Sequence, residues 1–206
     1  MITIPSIACL GVIGKNNNPL HISIFPPHSP PYPTSSTSPS KTSPPVHESL
    51  RTPLQYSLLL SSTLDIFDAR NRTSAGNQNL TGDLGLLYAV DERLAAYGFE
   101  TNTGVRFVVF VDGRGRVVKG GVGAGAGSGG GGGGGEGGVG GGGVREADVR
   151  SIFKAMQAAY IRLLQNPFYD PDEHCPVNGK GGKKINSRRF VEDMRRIGEA
   201  WVPGSI

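Results

Sequence analysis

Two aspartates, Asp65 and Asp68, stand three apart in the stretch Leu64-Asp65-Ile66-Phe67-Asp68. On a helix that spacing puts both on one face. Paired carboxylates there can do acid–base work, hold a metal ion or form an acidic rim for a partner. No histidine or third carboxylate accompanies them, so a solvated face and an acidic rim are the readings that remain. His174-Cys175 is the one adjacent His/Cys pair, and no second pair completes a four-ligand zinc site. Of the other histidines, His28 and His47 sit among prolines and serines, and His21 stands alone. No serine occupies a G-x-S-x-G elbow, and Gly127-Ser128-Gly129 falls in a glycine tract that cannot hold catalytic geometry. Asp112-Gly113-Arg114-Gly115-Arg116 superficially resembles a phosphate loop, but it lacks the third glycine and the helix that must open there. Gly179-Lys180 and Gly182-Lys183 do not match the P-loop spacing. Both stretches read as loops. The residues therefore predict neither an enzyme nor a cofactor or metal site.

Three tracts differ in composition from the rest of the 206 residues. Residues 26–47 hold prolines among Ser and Thr and offer too little apolar surface to offset ordering entropy. Residues 113–144 are nearly pure glycine past Lys119, a flexible linker by composition. Residues 171–186 read as a polar loop. About 136 residues remain, enough for one domain with a full core, so the chain reads as one domain over 1–206 with three interruptions. The formal net charge is +4. The one basic run is Lys180, Lys183, Lys184, Arg188 and Arg189. No aromatic residues interleave with it as they do on a single-stranded nucleic-acid platform, so it reads as a solvated loop and no nucleic-acid partner is expected. Cys9 in an apolar run and Cys175 in a loop make no disulfide framework, which suits a reducing compartment. No apolar run reaches the ~18 residues of a membrane-spanning helix. The N-terminus is apolar but lacks the charged n-region of a signal peptide.

The elements that must position any site follow from periodicity. Ile7 to Ile13 is apolar on both alternating faces, as a strand covered on both sides would be. A Gly/Asn/Pro turn leads into a second strand from Leu20 to Phe25, with Pro19 at its start. Thr52-Pro53-Leu54-Gln55 carries the signature of a capping box. The helix behind it presents Tyr56, Leu60, Leu64 and Phe67 on one face, and Asn71 opens a polar loop. Strands follow at 84–90, 94–102 and 105–112, the last apolar on both faces like the first. A long helix spans 144–165 with Val149, Ile152, Phe153, Met156, Tyr160, Leu163 and Leu164 in one stripe. Ser187 is placed to cap a final helix whose stripe is Phe190, Val191, Met194, Ile197 and Trp201. The order β-β-α-β-β-β-α-α predicts an α+β sandwich on a five-stranded antiparallel sheet.

Asn166-Pro167-Phe168-Tyr169-Asp170-Pro171 invites two quick readings, an Asn-Pro-Phe ligand for modules that collect endocytic cargo and an Asn-Pro-x-Tyr signal for phosphotyrosine-type readers. Its place between two predicted helices favours a third, a helix stop. Pro167 cannot continue a helix and disfavours helical geometry at Asn166. Phe168 and Tyr169 then have apolar bodies to pack back onto the domain.

Several of these stretches resemble the sedlin family, in particular its TRAPP complex subunit 2-like branch. They are Ile7-to-Ile22, Ser62-to-Arg70 with its Leu-Asp-x-x-Asp pattern, Leu84-to-Asp112, the helix ending in Asn166-Pro167-Phe168-Tyr169-x-Pro171, and Ile185-x-Ser187-x-x-Phe190. The tracts at 26–47 and 113–144 and the long 171–186 loop depart from the family pattern. The resemblance implies a longin-like (profilin-like) fold with sheet order 2-1-5-4-3, one helix on one face and two on the other. It implies a non-catalytic subunit or assembly factor of TRAPP vesicle-tethering complexes, in the cytoplasm and peripherally on Golgi and ER–Golgi membranes. Its partners would be other small longin-type subunits and large TRAPP II subunits, with a Rab GTPase served indirectly. By motif match Asp65 would be an interface or geometry-setting residue, with Asp68 beside it. Rival expectations are sedlin itself or another longin-type adaptor, and, in a different class, a small-ligand-binding or enzymatic domain on a profilin-like scaffold. A SNARE-type longin protein would need a heptad segment and a membrane anchor after this domain, and none stands before Ile206.

Overall fold

In the last strand of the sheet, β5 (Arg106–Val118), Phe107, Val109 and Val111 point to one side and Val108 and Phe110 to the other, and all five are buried. A strand with two buried faces must sit inside the sheet with a layer on each side. The computed structural model describes residues 2–27, 51–74, 82–118, 144–179 and 182–204. The other elements are β1 (Ile2–Ile13), β2 (Pro19–Ile24), α1 (Pro53–Ser74), β3 (Asp83–Ala89), β4 (Leu94–Glu100), α2 (Glu146–Leu164), α3 (Pro171–His174) and α4 (Arg188–Ala200). The strands form one antiparallel sheet of order β2-β1-β5-β4-β3, with β1 and β5 at its centre. This is the expected α+β longin-like arrangement. Most of the Pro/Ser tract (28–47), with His28 and His47, and the glycine run 119–143 lie outside the described residues.

The two faces carry separate cores. Ile7, Leu10 and Val12 of β1 join Phe107, Val109 and Val111 against Ile152, Phe153 and Met156 of α2 and Phe190 and Met194 of α4. On the other face Cys9, Ile13, Val108 and Phe110 meet Tyr56, Leu60 and Phe67 of α1. Each fully buried side chain of this size contributes roughly 1.5–3 kcal/mol of transfer free energy. A register shift between Ile7 and Cys9 explains why Ala8 and Cys9 both face α1. Gly98 of β4 lets α1 lie close: a Cβ there would stand 2.7 Å from the Phe67 ring and from Leu87.

Local signals account for most element ends. The Thr52 amide donates to Gln55 Oε1 at 2.9 Å, and the Gln55 amide donates to Thr52 Oγ1 at 3.3 Å, which completes the capping box. α1 runs past the expected loop at Asn71 and ends at Ser74. The reason is tertiary: the Asn71 side-chain Nδ2 donates to Glu100 Oε2 at 2.7 Å, and the Arg70 guanidinium donates to the carbonyls of Leu84, Leu86 and Leu87 on β3. Those bonds also blunt a sheet edge that would otherwise expose acceptors.

Three further expectations need correction. β5 does not stop at Asp112; it continues to Val118 and pairs with Ile2–Ile4. Gly113-Arg114-Gly115 forms the irregular register there, and Gly115 packs against Ser6, whose hydroxyl an added Cβ would crowd. These glycines belong to a bulge and not to the start of a linker. Residues 171–186 are also more than a polar loop. They hold α3, bury Cys175 and Ile185, and are bound to the β1–β2 turn and β2. Asn16 Nδ2 donates to Pro176 O (2.6 Å), Asn18 Nδ2 to His174 O (2.7 Å), and the Ile185 amide to Leu20 O (2.8 Å). Among the stripe residues, Leu164 and Val191 face solvent instead of the core.

His21 of β2 is buried, within 2.7 Å of Ser23 Oγ and edge-on to Phe190. Burial pushes its imidazole down to about 4, against roughly 6.5 in an unfolded chain. Between those values the unfolded state binds more protons, so stability is full above about pH 6.5 and falls as the pH drops toward 4. Thermal melts should show a loss of roughly 1 kcal/mol per pH unit across this window. His21→Gln should flatten that part of the slope, and an unchanged slope in the variant would refute the assignment.

Candidate functional site

Asp65 and Asp68 lie near the C-terminal end of α1, on either side of the fully buried Phe67. Asp68 is half-exposed, and its Oδ1 accepts from Arg106 Nη2 at 2.8 Å. Arg106, at the start of β5, is nearly buried. Its Nη1 donates to Asn17 Oδ1 at 2.9 Å and its Nε to Glu100 Oε1 at 3.4 Å, while its guanidinium lies 5.3 Å from the centre of the Phe67 ring. Asn17 sits in the β1–β2 turn with φ of 60°, a left-handed conformation that asparagine tolerates better than most residues. One cation thus joins α1, the β1–β2 turn, the end of β4 and the start of β5. The planar guanidinium suits this task because it donates in several directions at once.

Asp65 is exposed, and among the described residues no cation lies within ion-pair distance of it. The structure therefore divides the two carboxylates: Asp68 is committed to Arg106, and Asp65 is left to solvent. The outward face of α1 carries more than Asp65. Leu54 and Leu58 are 70% and 63% exposed. Positions 54, 58, 61 and 65 follow helical spacing and share one face. Two leucines, a serine and an aspartate thus run along the side of α1 opposite its buried Tyr56, Leu60, Thr63 and Phe67. Such an exposed apolar stripe marks a surface that a partner can cover.

A second ion pair was missed in the sequence. Asp112 is buried, and Arg93 grips it with Nε and Nη2 at 2.6 and 2.8 Å; the Arg114 amide adds a third bond at 2.9 Å. The bond to Asp112 raises the Arg93 guanidinium above its ordinary range. Arg106 and Asp112 bracket the apolar run of β5, and that bracketing is the signal that could have marked both. Their partners are distant in sequence, so spacing alone does not reveal them.

At the end of α2, Pro167 stops the helix as expected, but the residues after it sort differently. The Phe168 amide donates to Asn166 Oδ1 at 3.2 Å, and the Tyr169 amide donates to Asn166 O at 3.0 Å. Tyr169 turns inward and stacks on His174 with ring centroids 4.7 Å apart. Phe168 does not pack back onto the domain; it is 94% exposed. Ser187 occupies the N-cap position of α4, but its hydroxyl makes no capping bond; the Ser187 carbonyl accepts from the Val191 amide, and Phe190 is buried.

A groove of about 610 Å³ runs between α2 and the β4–β5 turn, with Phe99 and Phe153 among its lining residues and Ile161 and Leu164 exposed along it. Its two carboxylates are engaged: Asp83 pairs with Arg150 at 2.8 Å, and Glu100 with Arg106 and Asn71.

The family model described as sedlin matches residues 12–200. A protein of Dictyostelium discoideum named trafficking protein particle complex subunit 2-like protein is 23% identical over 193 residues, covering 93% of this chain and 95% of its own. A protein of the same name from Mus musculus is 25% identical over 186 residues, covering 88% and 89%.

The Arg106 cluster predicts an asymmetric response. Arg106→Ala leaves Asn17, Glu100 and Asp68 without their common donor and should cost about 3 kcal/mol in urea unfolding. Asp68→Asn should cost under about 1 kcal/mol, because Asp68 is half in solvent. Equal losses would contradict the view of Arg106 as the hub.

Proposed function

Since the chain belongs to the sedlin family, we propose that it is a non-catalytic subunit or assembly factor of TRAPP (trafficking protein particle) complexes. It works in ER-to-Golgi and Golgi transport through protein–protein contacts. Its partners are the other small longin-type subunits and the large TRAPP II subunits, and it serves a Rab GTPase only through the complex. The observation that carries this reading is the outer face of α1, where Leu54, Leu58 and Asp65 share one exposed stripe. An interface with an apolar centre and a charged edge suits such a stripe. We assign Asp65 to direct contact with the partner and Asp68 to setting the helix end through Arg106.

The two carboxylates that line the groove between α2 and the β4–β5 turn, Asp83 and Glu100, are held by arginines, which supports binding rather than acid–base work at that groove. Among the described residues no helix is long and apolar enough to cross a membrane. In the proposed reading, membrane association comes through the assembled complex.

Affinity purification of the tagged chain from cells should recover TRAPP subunits. Asp65→Tyr and Leu58→Asp, both at exposed positions, should keep the wild-type melting temperature and lower that recovery tenfold or more. Recovery equal to wild type, or unfolding of both variants, would sink the assignment of this face.

A further inference from the structure

Phe168 is the most exposed of the large apolar side chains among the described residues. It is also held in place. Asn166 accepts from the Phe168 amide through its side chain and from the Tyr169 amide through its carbonyl, and Pro167 between them has a fixed φ. Tyr169 anchors the far side of the turn on His174. The turn therefore projects a phenyl ring from a backbone that is already ordered, so a partner would not have to bear that ordering cost. We propose that the Asn166–Tyr169 turn is a docking element for a protein module with a phenyl-sized apolar pocket and a cationic rim.

Three features fix the chemistry of the occupant. The pocket must take one ring, since Leu164, four residues earlier, is the nearest exposed apolar residue in sequence. The rim must be basic where it faces Asp170, Asp172 and Glu173, which follow the ring directly, and not on the Asn166 side, where Arg162 and Arg189 line the surface. Of these only Glu173 meets a cation among the described residues, Lys183 at 2.9 Å. Asn166 is exposed, and its side-chain Nδ2 makes no hydrogen bond to the described residues, so it is available to donate to the module. The same acidic flank disfavours an anionic membrane surface as the occupant. A phosphotyrosine reader is excluded by Tyr169, whose hydroxyl is buried beside that of Tyr160. Burial, with Tyr160 beside it, pushes that phenol well above its ordinary range. A single aromatic anchor buries far less than a stable interface does, so the contact belongs to the weak, transient class.

The proposal does not rest on the TRAPP reading, and its variants lie away from Asp65 and Leu58, so either can fail alone. The full chain is titrated into a purified Asn-Pro-Phe-binding module labelled for NMR, and separately mixed with phosphatidylserine vesicles. Saturable shifts in the module's pocket are expected, with no vesicle binding. Phe168→Ala should weaken binding at least tenfold without moving the melting temperature. Asp172→Lys should weaken it and reduce its salt dependence. No saturable binding, Phe168→Ala binding like wild type, or Phe168-dependent binding to the vesicles would each overturn the proposal.

Discussion

Burial of β1 and β5 on both faces is the constraint from which the other features follow. Each strand sends alternating residues into two cores, so neither can stand at a sheet edge or leave a face in water. That requires α1 on one side and α2 with α4 on the other. It also fixes which faces of those helices remain free. α1 is used on its Tyr56, Leu60 and Phe67 side and so presents Leu54, Leu58 and Asp65 outward. The turn that carries Phe168 follows the end of α2 and leaves that ring in solvent.

The same constraint makes Arg106 costly to place and valuable once placed. A guanidinium at the start of a strand otherwise flanked by Phe107 to Val111 needs its charge and donors satisfied locally. Asp68, Glu100 and Asn17 do this from three separate elements. The orientation of the end of α1 is thereby coupled to the sheet. A contact made by Asp65 one turn earlier would therefore be presented by a well-fixed helix rather than a frayed one. Arg93 and Asp112 play the matching role at the other end of the apolar run of β5.

Much of this architecture could be read from the residue pattern. Ile7–Ile13 and Phe107–Val111 announced the central strands because a run apolar on both alternating faces has to be covered from two sides. Thr52 and Gln55 announced the start of α1 because a capping box is local. Most of the misreadings share one cause, partners far away in sequence. Gly113 and Gly115 have the composition of a linker, and only Ser6 across the ladder makes them a bulge. The end of α1 depends on Glu100 and on the β3 carbonyls. Cys175 and Ile185 are isolated apolar residues with no periodicity, and Asn16, Asn18 and Leu20 pin that segment down. Asp65 and Asp68 share a face by spacing, yet their roles separate because Arg106 reaches only the second. Phe168 and Tyr169 are adjacent aromatics, and His174 decides which one turns inward.

We propose the outer face of α1 as the surface by which this subunit docks into a TRAPP particle. Amide hydrogen exchange of the purified chain, alone and with a reconstituted TRAPP particle lacking its own 2-like subunit, tests it most directly. Slower exchange concentrated over residues 54–68 of α1 is the predicted result. Stable binding with α1 exchange unchanged, or protection confined to α4 and the α2 groove, would contradict it.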